Sequence, residues 1–140
     1  AKVLDLCAGT GNVSFEFISR GAESVIAVDK HFKCVQFMNV LAKKFEVEEE
    51  VLIIKSDVLR FLAKHNAAYD IIFCDPPFAE GFHEEIVKLI QENGNLSEDG
   101  ILIVEHGQES DLSHLQGFVE LRKYGSVYFS IFEYYDPSQD

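Results

Sequence analysis

Four short clusters in the sequence carry residue types suited to holding a small polar ligand. The first is Asp5-Leu6-Cys7-Ala8-Gly9-Thr10-Gly11, where two glycines permit a tight turn and let the main chain approach a ligand with no Cβ in the way, beside the carboxylate of Asp5. The second is Asp29, whose two carboxylate oxygens can accept both hydroxyl hydrogens of a ribose. The third is Ser56-Asp57, an acceptor position for an exocyclic amine. The fourth, Asp75-Pro76-Pro77-Phe78, is the most specific. Paired prolines fix the main chain so that the Asp75 carboxylate and the Pro76 carbonyl can face one planar amine, while Phe78 stacks on the ring that bears it.

Each cluster also has a plainer reading. A Gly-Thr-Gly turn can simply join a strand to a helix, and Asp29 and Asp57 can cap the helices that follow them; for Asp57 alone the cap is the more economical account. In a nicotinamide-binding fingerprint the third glycine would fall at Ser14, and a carboxylate at Asp5 has no purpose beside a pyrophosphate, which weakens the dinucleotide reading without removing it. Taken together, three carboxylates around a glycine-rich turn favour a nucleoside that is cationic rather than phosphorylated. S-adenosylmethionine, with its ammonium and sulfonium, has that character. The five histidines show no paired ligand spacing with cysteine, so no metal site is expected. Cys7, Cys34 and Cys74 form no CxxC pair and sit among apolar residues, which predicts reduced, buried thiols in a cytoplasmic protein and no disulfide framework.

Such clusters act together only if the fold brings them to one edge, and the hydropathy pattern supplies that arrangement. Strands are predicted over residues 2–7, 24–28, 51–55, 70–74 and 101–105, with helices over 12–20, 31–45, 58–64 and 82–93 between them. The helix over 31–45 carries Val35, Met38, Ala42 and Phe45 at helical spacing. Two further strands, 118–123 and 126–135, flank Tyr124-Gly125 and read as a hairpin, for which Tyr124, Tyr128, Tyr134 and Tyr135 would form a packing surface. The predicted fold is α/β: a Rossmann-like, doubly wound, mostly parallel sheet with a C-terminal antiparallel hairpin. In such sheets ligands bind at the carboxyl ends of the strands, which is where all four clusters fall.

The chain has 140 residues, 47% of them hydrophobic, enough for one domain over 1–140 with a core of its own. Its apolar runs are far too short to span a membrane. The net charge of -12 is uneven: residues 1–70 hold 9 basic and 10 acidic residues, and residues 71–140 hold 3 and 14. Broad binding of a phosphate backbone by this chain alone is disfavoured, because that affinity depends on Lys and Arg. Lys30, Lys33, Lys43 and Lys44 form its one basic cluster, most simply a solvated helix face. The chain opens directly on the apolar run of its first strand, and is expected to begin inside a larger protein.

With DLCAGTG, VDK, SDV and DPPF in this order before a closing hairpin, the sequence resembles class I S-adenosylmethionine-dependent methyltransferases over essentially its whole length. More narrowly, LDLCAGTGNVSFEFISRGA, Asp75-Pro76-Pro77-Phe78 and the strand end Ile103-Val104-Glu105-His106 resemble the RsmD-type 16S rRNA (guanine-N2)-methyltransferases. That family carries a segment with basic residues before its first strand. The resemblance implies S-adenosylmethionine as cofactor, held by Asp5, Gly9 and Gly11 at the methionine part, by Asp29 at the ribose and by Asp57 at the adenine, with Cys7, Ala8, Lys30 and Val58 also at the cofactor. It implies a catalytic loop of Asp75, Pro76, Pro77 and Phe78, with ribosomal RNA or the small ribosomal subunit as partner and no membrane or metal. Methylation of DNA adenine or of a protein glutamine, a nicotinamide-dependent oxidoreductase, and a non-catalytic cofactor-binding module stay open as alternatives.

Overall fold

The computed structural model describes residues 1–76 and 82–139. Pro77 and Phe78, half of the expected catalytic loop, lie outside the described residues. The elements follow one another as β1 (Lys2–Leu6), α1 (Asn12–Ser19), β2 (Ser24–Asp29), α2 (Phe32–Lys44), β3 (Val51–Lys55), α3 (Val58–Ala63), β4 (Tyr69–Cys74), α4 (His83–Asn93), β5 (Leu96–His106), β6 (Phe118–Tyr124) and β7 (Val127–Glu133). They build one sheet in the order β3-β2-β1-β4-β5-β7-β6. Strands β1 to β5 run parallel, and β7 inserts antiparallel between β5 and β6.

The period of two in a strand sorts β1 between two cores. Val3 joins Val25, Ala27, Met38 and Ala42 on the face covered by α1 and α2, while Leu4 and Leu6 join Leu62, Ile72, Ile86 and Ile90 on the face covered by α3 and α4. A central parallel strand buried on both faces is almost continuously apolar, which makes Asp5 in the middle of it the exception to be explained. The chain order reverses between β1 and β4, so a crevice opens beyond their carboxyl ends.

Most element ends agree with the sequence reading to within the one or two residues by which helix and strand ends fray. The exception is β5, which starts at Leu96 rather than at residue 101. Ser97-Glu98-Asp99-Gly100 has the composition of a turn, yet it lies within the strand at a place where the pairing with β4 shifts register between Tyr69 and Ile71. A Cβ at Gly100 would stand 3.0 Å from the Asp70 carbonyl oxygen, so the glycine serves close approach of two strands. On α2, Met38 and Ala42 are buried but Phe45 is 55% exposed at the C-cap, its ring edge-on to Phe15. The hairpin tyrosines pack only in part: Tyr124 meets Phe129 edge-on yet is 62% exposed, and Tyr128 meets His106 with Lys123 over its ring.

Candidate active site

The turn after β1 is built from backbone that few residues tolerate. Cys7, Gly9 and Gly11 have φ of 60°, 59° and 87°, so every second residue of the loop is left-handed. Cys7 adopts this conformation without the freedom of glycine, the kind of strain that collects at functional sites. The loop is tied down by hydrogen bonds from the Ala8 amide to the Val28 carbonyl and from the Gly11 amide to the Ala8 carbonyl, both 2.9 Å. Around the two glycines the space differs. A Cβ at Gly11 would lie 2.8 Å from the Phe15 ring and 2.9 Å from Met38, whereas a Cβ at Gly9 would meet nothing within 4 Å. Gly11 is needed for packing, and Gly9 leaves an open cradle.

Asp5 lies beneath this turn, 1% exposed, and accepts a 2.6 Å hydrogen bond from the Ser14 hydroxyl of α1. Burial pushes its carboxyl up to about 7, against the Ser14 hydrogen bonds, and the nearby charges of Asp75 and Asp29 add to the rise. The sequence singled out Ser14 only as a missing glycine, but a small hydroxyl is what the buried carboxyl requires there.

At the end of β2, the Asp29 carboxylate accepts from the Gly9 amide through Oδ2 and from the His31 amide through Oδ1, each at 2.8 Å. The carboxylate thereby links the two loops and caps no later turn of α2, whose N-cap is His31. A carboxylate has about four lone-pair positions, so Oδ2 keeps acceptor capacity for a further hydrogen, while the second position on Oδ1 faces the His31 ring. Asp57 does act as a cap, accepting from the Arg60 amide at 3.1 Å, and this uses only Oδ2. Asp29, His31 and Cys34 also bring one ligand atom each to within 4.8 Å of one another, a grouping across a strand end and a helix start that no paired spacing signals. There His31 Nδ1 sits 3.1 Å from Asp29 Oδ1.

Asp75 follows β4 directly. Its amide donates to the Leu6 carbonyl at 3.3 Å, which holds the start of the loop against the end of β1. Its carboxyl is hydrogen-bonded to that of Glu105, and burial raises both above the ordinary carboxylate range. Cys74 beneath it is fully buried, with its thiol pushed well up by a hydrogen bond to Cys7 and by burial. Cys7 and Cys34 are only half-buried, which corrects the expectation of three buried thiols; both line the crevice, Cys7 just past the end of β1 and Cys34 in the first turn of α2. The next strand end is closed by His106, whose Nδ1 meets the Gly107 carbonyl at 2.8 Å and whose Nε2 meets the Ser130 hydroxyl at 2.7 Å, joining β5 to β7.

A cavity of about 230 Å³ occupies the crevice. Among the residues expected at the ligand, Cys7, Gly9, Asp29, Lys30, Asp57, Val58, Asp75 and Pro76 line it. Asp5, Ala8 and Gly11 stand behind the lining, where they shape the turn. Leu59, Phe82 and Ile86 add an apolar wall that none of the four sequence clusters signalled.

A glycine-rich turn at the carboxyl edge of a mostly parallel sheet of order 3-2-1-4-5-7-6, with β7 antiparallel and carboxylates at successive strand ends, is the architecture of class I methyltransferases. Within that class, the chain belongs to the family described as Conserved hypothetical protein 95, the family of ribosomal RNA small subunit methyltransferase D, whose family model matches residues 1–133. The Bacillus subtilis (strain 168) protein YlbH is 36% identical over 117 residues, covering 81% of this chain and 64% of its own length. Ribosomal RNA small subunit methyltransferase D of Escherichia coli (strain K12) is 31% identical over 114 residues, covering 80% of this chain and 56% of its own. A conserved hypothetical protein of Streptococcus pyogenes shares the fold with a TM-score of 0.87 at 22% identity, over 96% of this chain and 86% of its own. The chain thus spans less than two thirds of the length of these two curated relatives.

Proposed function

We propose that this protein binds S-adenosylmethionine in the crevice and methylates an exocyclic amine, guanine N2 of 16S ribosomal RNA. The observation that carries the reading is Asp29: a buried carboxylate fixed by two main-chain amides, with an acceptor position left on Oδ2 and the remaining one on Oδ1 facing the exposed His31 ring, beside the open cradle of Gly9. These carboxylate oxygens suit the hydroxyls of a ribose, one of which would take the place of the His31 ring at Oδ1, and they repel a phosphate. The free oxygen of Asp57 suits the adenine amine, with Val58 and Leu59 against the ring. The turn of Cys7 and Gly9 takes the methionine part, and Lys30 borders the ribose. Asp5, buried behind the turn, supplies negative potential toward a cationic chain.

Bound S-adenosylmethionine supplies an electrophilic methyl on a cationic sulfur, which leaves as the neutral thioether of S-adenosylhomocysteine. The chain's own part is to hold the amine. The Asp75 carboxylate and the Pro76 carbonyl accept its two hydrogens, aiming the nitrogen and keeping electron density on it while positive charge develops. One of those hydrogens then departs as a proton, through Asp75 or to water. The apolar wall of Phe82 and Ile86 keeps water away from the reacting atoms. Pro77 and Phe78, by family resemblance, complete the loop around the base. This substrate implies a cytoplasmic protein with the small ribosomal subunit or its RNA as partner, acting through one domain over 1–140. Among the described residues no helix is long and apolar enough to cross a membrane.

Titration calorimetry tests the cofactor. S-adenosylmethionine and S-adenosylhomocysteine are expected to bind and NAD not to, and Asp29→Ala should remove roughly 1.5 to 3 kcal/mol of binding, about tenfold or more in affinity. Tight NAD binding, or affinity untouched by the substitution, would reject the assignment.

A further inference from the structure

Strands β4 and β5 pair in parallel with Phe73 opposite Ile103 and Cys74 opposite Val104. Continued by one residue, that register sets Asp75 beside Glu105 as each strand leaves the sheet. Their carboxyls are joined by a side-chain hydrogen bond. Two carboxyl groups can share a hydrogen bond only if one of them carries a proton. Glu105 is half-buried and is held on its other side by β7, where Phe129 is its partner in the antiparallel ladder. Asp75 is held on its other side by its amide hydrogen bond to the Leu6 carbonyl, and the chain then leaves the sheet at Pro76.

Resting on the methyl-transfer reading, we propose that Glu105 is a positioning residue: its protonated carboxyl donates to one oxygen of Asp75 and turns the other toward the substrate amine. The shared hydrogen bond holds Asp75 down and pushes Glu105 up, the direction expected when Glu105 donates and Asp75 accepts. The remaining ionisable groups around the pair come from three elements. The charge of Asp5 on β1 acts on Asp75, the Cys74 thiol of β4 lies beneath it, and His83 of α4 lies against the Glu105 main chain, its pKa lowered by burial and by His106 against the pull of Glu109. A neutral donor orients Asp75 without neutralising it. As pH rises through the elevated pKa of Glu105, the donor becomes a second anion and the two carboxylates repel.

Glutamine separates the donor from the titration, because its amide donates at every pH. In the full-length protein, Glu105→Gln should keep the parental kcat at the acid end of the profile and lose the alkaline decline. Glu105→Ala should lower kcat by about tenfold to a hundredfold on the acid side of the profile, where the parent has its donor, and by less on the alkaline side, with the affinity for S-adenosylmethionine unchanged, as expected when a catalytic group is misplaced by a fraction of an ångström to one ångström. Carbon-13 NMR titration of the Asp75 carboxyl, which needs no turnover, should show two coupled steps in the parent and a single step in Glu105→Gln. A single, identical Asp75 titration in parent and variant would overturn the proposal, as would parental kcat in Glu105→Ala. If the parent transfers no methyl group yet shows the coupled titration, the pairing stands and the function read for the site falls.

Discussion

Asp5 shows how one residue can carry the tension between fold and function. A carboxyl in the middle of a buried parallel strand gains nothing for packing, and its pKa of about 7 against 3.8 for an exposed group measures the cost of ionising it there. Between those two values the folded state holds a proton that the unfolded chain has already lost, so stability falls as pH rises from about 4 to about 7 and stays reduced above it. A shift of this size corresponds to a cost of order 4 kcal/mol. Asp5→Asn keeps an oxygen for the Ser14 hydroxyl without the charge. It should match the parent in denaturant unfolding near pH 4 and exceed it near pH 8; a difference independent of pH would show that Asp5 does not titrate in this range. The sequence alone identified Asp5 as a ligand-side carboxylate. Its burial behind the turn depends on strand β1 being covered on both faces, and only the packed sheet reveals that.

At the scale of the element, the turn between β1 and α1 does two jobs with two glycines, and substitutions should separate them. Gly11→Ala combines a left-handed backbone with a clash against Phe15 and Met38, and should cost roughly 2 to 4 kcal/mol of stability in chemical denaturation. Gly9→Ala carries only the backbone penalty, about 1 to 2 kcal/mol, and puts its methyl in open space at the cavity, so it should weaken S-adenosylmethionine binding with far less loss of stability. Equal effects of both on stability and binding would contradict this division. The turn was legible because glycine spacing is a local signal, and the strands around it were legible because buried parallel strands are short apolar runs bounded by polar residues. Glu105 was legible only as the end of such a run. Its pairing with Asp75 is set by the register of β4 against β5, across the whole of α4, and no local pattern encodes it. The start of β5 was missed for the opposite reason: Ser97 to Gly100 have turn composition, and only the partner strand explains why they are extended.

Across the whole molecule the chemistry is concentrated at one edge of the sheet, and the charge works against the substrate proposed for it. With a net charge of -12, the domain repels a polyanion over a Debye length of about 8 Å at physiological salt, and Lys30, Lys33, Lys43 and Lys44 are its main local relief. Residues 1–140 by themselves are therefore expected to bind S-adenosylmethionine while engaging RNA weakly, and a longer protein that engages it well should do so with a steep dependence on salt. The most direct measurement is transfer of a labelled methyl group from S-adenosylmethionine by the full-length protein, offered small ribosomal subunits, naked 16S RNA, DNA and protein side by side, with Asp75→Ala as control. The predicted result is label in the RNA, recovered as N2-methylguanine, lost in Asp75→Ala although that variant still binds the cofactor. Label in DNA or protein with none in RNA, or parental transfer by Asp75→Ala, would contradict the account.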